Sequence, residues 1–333
     1  MPCCLLCASD GVPLYRGLRD RMYRAPGEWS LAHCPRPGCG LIWLDPMPLA
    51  SDIGVAYEDY YTHASGARSR HALSSLFVAA KWGYLANAWA YKQGVGKLAR
   101  LLGLLPYMYP GRKTELDFSV MWLESRSKGR LLDVGAGSGS LVERMCQLGW
   151  QAEGLDFDRR SVENGRSRGL TFHLGGLPDQ RFPEASFDAI TMSHSIEHVH
   201  DPVGWLAEAR RILKPGGRLA IATPNARSWL HRRFREHWFA LDPPRHLHLF
   251  NRDTIAAALR KAGFEAFSVF TSIRDVNGAW RGSRAIQRHG RHDMLARPSA
   301  AMSLVSRLIL LAVATRSLAD ADAGEELVAL ANR

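Results

Sequence analysis

From position 129 onward, apolar residues alternate between short continuous runs and helically spaced stripes. Arg130–Val134 is a short apolar run ending in glycines and predicts a buried strand, followed by Leu141, Val142, Met145 and Leu148 at helical spacing. Ala152–Leu155, Leu170–Leu174 and Phe187–Met192 predict three more strands. Asp201-Pro202 reads as an N-cap followed by proline at the first helical position, and Val203, Leu206, Ala207 and Leu213 supply that helix's inner stripe. Pro215-Gly216-Gly217 reads as a turn into a fifth strand, Arg218–Ala222. Asn251 is placed to cap a helix carrying Ile255, Ala258, Leu259 and Ala262, with Gly263 at its stop. This alternation predicts an α/β protein with a mostly parallel, doubly wound sheet.

Four regions follow from the pattern. Residues 1–60 hold five of the six cysteines and end in the aromatic set Tyr57, Tyr60 and Tyr61. Residues 61–128 read as a helical linker or cap, 129–274 as the α/β domain, and 275–333 as a basic and apolar helical tail with a terminal strand at Gly324–Leu330. The 333 residues suffice for a sizeable core, and 46% hydrophobic with 23% charged residues excludes a disordered or collagen-like chain. The net charge of +11 favours anionic partners without choosing among nucleic acid, acidic lipid and phosphorylated substrate. Met1-Pro2-Cys3-Cys4 shows neither a charged n-region nor a long apolar stretch, and the expectation is a cytoplasmic protein. Arg281, Arg284, Arg288 and Arg291 share one helical face ahead of the apolar stretch Met302–Leu318. That pairing fits either a peripheral contact with anionic membrane or a solvated face beside a core helix.

The glycine-rich turn Gly135-Ala136-Gly137-Ser138-Gly139 sits between the first strand and its helix, where glycines permit close backbone approach to a ligand. Asp133 ahead of it favours a cationic amino acid over a pyrophosphate. Asp156, at the tip of the second strand, either accepts both hydroxyls of a ribose or caps the next helix. Met192-Ser193-His194-Ser195-Ile196-Glu197-His198 contains the spelling H-x-x-E-H of inverted zinc peptidases, but it lies between a strand and an Asp-Pro helix start, on a loop at the sheet's carboxyl edge. His194 and His198 there either take a proton from a hydroxyl or shape the pocket. Pro243-Pro244-Arg245-His246-Leu247-His248 forms a second histidine set; His246 is another base candidate and Arg245 a candidate anion binder. Cys4-x2-Cys7 and Cys34-x4-Cys39, with Pro35, Pro37, Gly38 and Gly40 for tight turns, are suited to tetrahedral structural zinc; Cys3 and His33 are alternative ligands.

LLDVGAGSGSLVERM, GLDFD, FDAITMSHSIEHVHDP and LKPGGRLAIATPN, in this order, resemble the signatures of class I S-adenosylmethionine-dependent methyltransferases over roughly residues 115–275. The resemblance implies a Rossmann-like, doubly wound, seven-stranded sheet preceded by a small zinc-binding region and a helical insertion. It implies that Asp133, Gly135, Ala136, Gly137 and Gly139 meet the methionine end of S-adenosylmethionine, that Asp156 and Phe157 hold ribose and adenine, that Gly176 and Leu177 flank adenine, and that Ser193 and His194 lie under the sulfonium. Gly175-Gly176 stand where the family often has a carboxylate for the adenine amino group; backbone or Asp179 are the substitutes here. CPRPGCGLIWLDPMP with YEDYY resembles the N-terminal part of bacterial sugar and cell-surface glycan methyltransferases, which carry a zinc knuckle. The expected activity is O-methylation of a sugar, glycolipid or related small-molecule or glycan acceptor. The alternatives are a zinc-containing RNA methyltransferase, which lacks support from Ser193-His194-Ser195-Ile196 where an Asn/Asp-Pro-Pro-aromatic stretch would stand, and an inactive cofactor-binding scaffold.

Overall fold

A computed structural model describes residues 3–57, 75–92, 94–294 and 298–333. Tyr60 and Tyr61 lie outside the described residues. The N-terminal region supplies β1 (Val12–Leu18), β2 (Trp29–His33) and β3 (Ile42–Leu44). The helical segment supplies α1 (Ser75–Trp89), α2 (Lys97–Leu102), α3 (Leu105–Met108) and α4 (Pro110–Phe118). Then come β4 (Arg130–Val134), α5 (Ser140–Gln147), β5 (Gln151–Asp156), α6 (Arg159–Ser167), β6 (Thr171–Leu174), β7 (Phe187–Ser193), α7 (Pro202–Ile212) and β8 (Leu213–Pro224). The chain closes with α8 (Trp229–Phe234), β9 (His248–Leu249), α9 (Arg252–Lys261), β10 (Ala266–Ser272), α10 (Val276–His289), α11 (Ala300–Arg316) and β11 (Glu326–Asn332).

Seven strands form the expected Rossmann-like sheet in the order β10-β11-β8-β7-β4-β5-β6. Neighbours from β8 to β6 are parallel, and β11 runs antiparallel to both β8 and β10. The chain winds outward from β4 to β5 and β6, then returns to β7 on the other side of β4. That reversal opens a crevice at the strands' carboxyl ends between β4 and β7. Side chains alternate between the two faces. Leu132, Val134, Ile190, Met192, Leu219 and Ile221 belong to one buried cluster with Leu206 of α7 and Ile255 and Leu259 of α9. Leu131, Ala189, Ala220 and Ala222 belong to the other, where small alanines accompany bulky Tyr91, Trp122 and Trp150.

Two local expectations are corrected. Pro215-Gly216-Gly217 does not separate helix from strand as a free turn. β8 begins at Leu213, and pairing with β7 jumps from Phe187↔Leu213 to Ala189↔Arg218 across an irregularity that Gly216 accommodates at φ +75°. The stripe of arginines stops short, because α10 ends at His289 with Gly290 in the left-handed conformation, so Arg291 lies beyond the helix. α11 buries Ser306, Leu310 and Val313 and leaves Leu304, Leu308 and Leu311 outward. Among the described residues, no helix is long and apolar enough to cross a membrane.

The N-terminal strands form a second sheet, β1-β2-β3-β9, whose fourth member comes from the loop after β8. Ile42 pairs with Leu249 and Trp43 with His248. The cysteine region is therefore built into the rim of the crevice.

Candidate functional site

Gly135, Gly137 and Gly139 hold φ of +77°, +50° and +71°, and they carry the chain from β4 into α5 in backbone shapes that L side chains resist. A Cβ at Gly135 would sit 2.5 Å from the Cβ of Ser195. The turn is pinned to the neighbouring strand: the Gly135 and Ala136 amides donate to the Leu155 carbonyl at 2.8 and 3.1 Å. Gly137 N–H donates to Asp156 Oδ2 at 2.7 Å, and Asp158 N–H to Asp156 Oδ1 at 2.9 Å. Asp156 does not cap α6. Asp158 does, accepting from Arg160 and Ser161 amides. The Asp156 carboxylate keeps acceptor capacity beyond these backbone donors.

Asp133 is buried and accepts the Thr191 hydroxyl at 2.7 Å; burial pushes its carboxyl up to about 7. Burial also raises Asp156. Phe157, 50% exposed beside Asp156, meets the Tyr57 ring edge-on at 5.0 Å. Gly175 N–H bonds the Asp156 carbonyl, and Gly176 N–H reaches Asp179 Oδ2 at 3.2 Å, so Asp179 folds back on the segment that follows β6. Leu177 is fully buried behind that segment, and Ser193 ends β7 half-buried.

The histidines gather at the same edge but differ in electrostatics. His194, at φ +51°, sets Nε2 2.7 Å from Glu326 and Nδ1 3.4 Å from Glu197. Burial alone would lower its pKa; the two buried carboxylates raise it to about 10, so it stays an imidazolium. Arg274 closes the group as the second cation on Glu326. His198 and His246 sit in an edge-to-face pair at 4.7 Å, and burial lowers each to about 4, which keeps both neutral. Glu197 is fully buried; burial would raise it, but the cationic His194 beside it brings it down to about 2.

Arg245 departs from the sequence expectation. It is fully buried, paired with Asp20 at 2.8 Å and with Asp242, and it donates to the Ala56 carbonyl at 3.0 Å. A guanidinium so committed has no face for an anionic ligand; it bolts the N-terminal region to the loop after β8. Sequence reading missed Glu326 and Arg274. The signal for Glu326 was a charged pair, Glu325-Glu326, opening an apolar strand; Arg274 carried none.

Cys4, Cys7, Cys34 and Cys39 present Sγ atoms that all lie within 4.8 Å of one another. Cys4 and Cys39 are 3.7 Å apart, Cys7 and Cys34 3.4 Å. Cys3 and His33 stand outside the group. Each pair sits in a tight turn, with Ala8 N–H on the Cys4 carbonyl, Cys39 N–H on the Arg36 carbonyl, and Gly38 and Gly40 left-handed. Four converging thiols match a tetrahedral thiolate set.

Residues 112–269 match the family model described as a methyltransferase domain. The chain is 32% identical over 152 residues to a ubiquinone biosynthesis O-methyltransferase of Xanthomonas oryzae pv. oryzae, covering 44% of this chain and 59% of that one. It is 39% identical over 98 residues to a demethylmenaquinone methyltransferase of Tropheryma whipplei, covering 27% and 40%. The chain thus spans about 59% or less of the length of these curated relatives. A solved S-adenosylmethionine-dependent methyltransferase from Archaeoglobus fulgidus superposes with a TM-score of 0.44 at 15% identity, over 72% of this chain and 95% of that one. The matched segment contains the glycine turn, Asp156 and the His194–His198 loop, so the family match falls on the crevice of the Rossmann-like sheet.

Proposed function

We propose that this chain is an S-adenosylmethionine-dependent methyltransferase acting on a hydroxyl of a small molecule, with a sugar, glycolipid or related glycan-type acceptor as its substrate class. The observation that carries the reading is Asp156, a buried carboxylate on the tip of β5 clasped by the Gly137 amide of the glycine turn. The two partners of that bond are the two halves of a site for a ribose-bearing methyl donor.

When bound, the donor supplies an electrophilic methyl: its C–S bond breaks with the pair staying on sulfur while an acceptor oxygen forms the new C–O bond. Asp156 takes the ribose hydroxyls, and Phe157, braced by Tyr57, covers the adenine. Asp133, aligned by Thr191, meets the donor's ammonium, whose charge draws the carboxyl into its ionised form. Gly135 to Gly139 let the backbone approach the methionine end. His194, held as an imidazolium, cannot accept the acceptor's proton. That task falls to neutral His198 or His246, and in-line alignment of the acceptor supplies the larger part of the rate.

Cys4, Cys7, Cys34 and Cys39 would hold a structural zinc ion, whose part would be to tie the two cysteine turns together rather than to do chemistry. The names of both relatives favour a small-molecule acceptor over RNA, and that of the ubiquinone biosynthesis O-methyltransferase favours oxygen. The test is calorimetry of the purified chain with S-adenosylmethionine and S-adenosylhomocysteine. Binding that Asp156→Ala weakens at least about tenfold agrees with the ribose role; unchanged affinity overturns it. Transfer of labelled methyl to hydroxyl acceptors supports the reading, whereas transfer to bulk RNA, or donor binding without turnover on any acceptor, overturns it.

A further inference from the structure

Glu197, His198 and His246 converge from two loops, each offering one ligand atom within 4.8 Å of the other two. His246 Nδ1–H donates to the Ala240 carbonyl at 2.7 Å, which leaves Nε2 as its lone-pair nitrogen. His198 Nδ1 lies 3.0 Å from the Arg245 carbonyl, an acceptor only, so its proton belongs on Nδ1 and its free pair again on Nε2. Tyr57 OH also reaches that Nδ1, at 2.9 Å. Glu197 accepts the Thr223 hydroxyl on Oε2 at 2.9 Å, while Oε1, buried, has no hydrogen-bond partner. Its nearest cation is His194 Nδ1 at 3.4 Å. Asp242 Oδ2 stands 3.9 Å from His246 Nε2.

This pattern is what a divalent ion requires: two imidazoles with their outer nitrogens fixed by carbonyls, a carboxylate steadied by a hydroxyl, and one buried oxygen that accepts no hydrogen bond and has only the His194 ring 3.4 Å away. Two histidines and one carboxylate occupy three positions and leave others open. The group lies next to the donor crevice, because His198 meets Tyr57, and Tyr57 meets Phe157 beside Asp156.

We infer that Glu197, His198 and His246 form a binding site for a divalent transition-metal ion, distinct from the cysteine cluster, whose open positions receive an oxygen of the acceptor. The acceptor role rests on the methyltransferase reading; the metal site itself does not. With the ion in place, the two histidines serve as ligands and no longer as the base, a role they hold only in the metal-free site. The acceptor hydroxyl, bound to a Lewis acid, then gives its proton to solvent, and its oxygen keeps the electron pair that forms the C–O bond.

The test titrates the zinc-loaded full chain with Co2+ and follows its visible absorption, with S-adenosylhomocysteine affinity measured alongside. The expected result is one equivalent bound without the intense thiolate charge-transfer absorption that replacement in the cysteine cluster would produce. Glu197→Gln and His246→Asn should each weaken that binding at least about tenfold while S-adenosylhomocysteine still binds. No Co2+ uptake by the wild-type chain, or uptake carrying only the thiolate signature, overturns the inference. So does an ion that survives both substitutions. If the variants do not fold, the ligand signature of the wild-type cobalt spectrum decides: nitrogen and oxygen ligation supports the site, sulfur ligation refutes it. S-adenosylhomocysteine binding without Co2+ binding sinks the metal site alone; Co2+ binding without any affinity for S-adenosylhomocysteine sinks the methyltransferase reading instead.

Discussion

The side-chain amide of Asn251 donates to the Cys39 carbonyl at 2.8 Å while its oxygen accepts the Asp253 and Thr254 amides that start α9. One buried side chain therefore fastens a cysteine turn to a helix packed on the seven-stranded sheet. Arg227 adds a weaker bond to the same carbonyl at 3.4 Å. Asn251→Ala removes a cap and leaves a buried carbonyl short of a donor, so the expected loss is about 2 kcal/mol, the sum of a lost cap and an unsatisfied group. Asn251→Asp keeps the cap but not the amide donor and should lose less. Denaturant unfolding of both variants checks the order. Replacing Cys34 and Cys39 by serine should abolish bound zinc and destabilise through the same link; metal analysis showing undiminished zinc would refute the ligand assignment.

Gly135 is expected to tolerate no side chain. Alanine there meets the Ser195 Cβ at 2.5 Å and takes a φ of +77°, so overpacking and backbone strain together cost about 2–4 kcal/mol. Gly149→Ala is the control: its φ is +94°, but an added Cβ meets the far end of Lys128 at 3.3 Å, well away from the crevice. Both variants should be less stable than the parent, and Gly135→Ala alone should lose S-adenosylmethionine affinity. Equal donor affinity for the two would remove the turn from the binding site.

How far the sequence foretold this site depends on the range of the interactions involved. The five parallel strands, the Asp201 and Asn251 caps and the glycine turn are local patterns, and the structure carries each of them. The four cysteines were legible because two short-range pairs need only one long-range meeting. What sequence could not convey is which charges meet across the chain. Arg245 reads as a free cation until Asp20 is placed beside it, 225 positions away. His194 reads as a base until Glu326, 132 positions on, fixes its proton. The pairing of β3 with β9, which draws the cysteine region into the crevice rim, has no signature in either two- or three-residue strand.

Arg245→Ala should be among the most damaging substitutions in the chain. It strands Asp20 and Asp242 as buried, uncompensated carboxylates, and breaking a buried pair from one side costs about 3–5 kcal/mol. The triple variant Arg245→Met, Asp20→Asn, Asp242→Asn removes all three charges and should recover much of the loss. Chemical denaturation of the single and triple variants measures both. A triple variant as unstable as the single one would show that the hydrogen bonds, rather than the stranded charges, hold the two regions together.

Asp133 gives the donor-free protein a pH dependence with a definite sign. Its carboxyl ordinarily titrates near 3.8, and burial pushes it up to about 7 in the folded chain. A raised acid binds its proton more tightly folded than unfolded. Stability from this group is therefore greatest below the unfolded value and falls as pH rises through the folded one, by on the order of 4 kcal/mol across the window from about 4 to 7. Asp133→Asn keeps a partner for the Thr191 hydroxyl and removes the titration, so the donor-free variant should be more stable than the parent at pH 8 and nearly equal to it at pH 4. The same variant should bind S-adenosylmethionine more weakly, because its side chain no longer answers the ammonium. Thermal unfolding across that pH range, with and without the donor, separates the two effects: the free variant gains at high pH, and the donor's stabilising increment shrinks. A variant that follows the parental stability curve at every pH would place the raised carboxyl elsewhere.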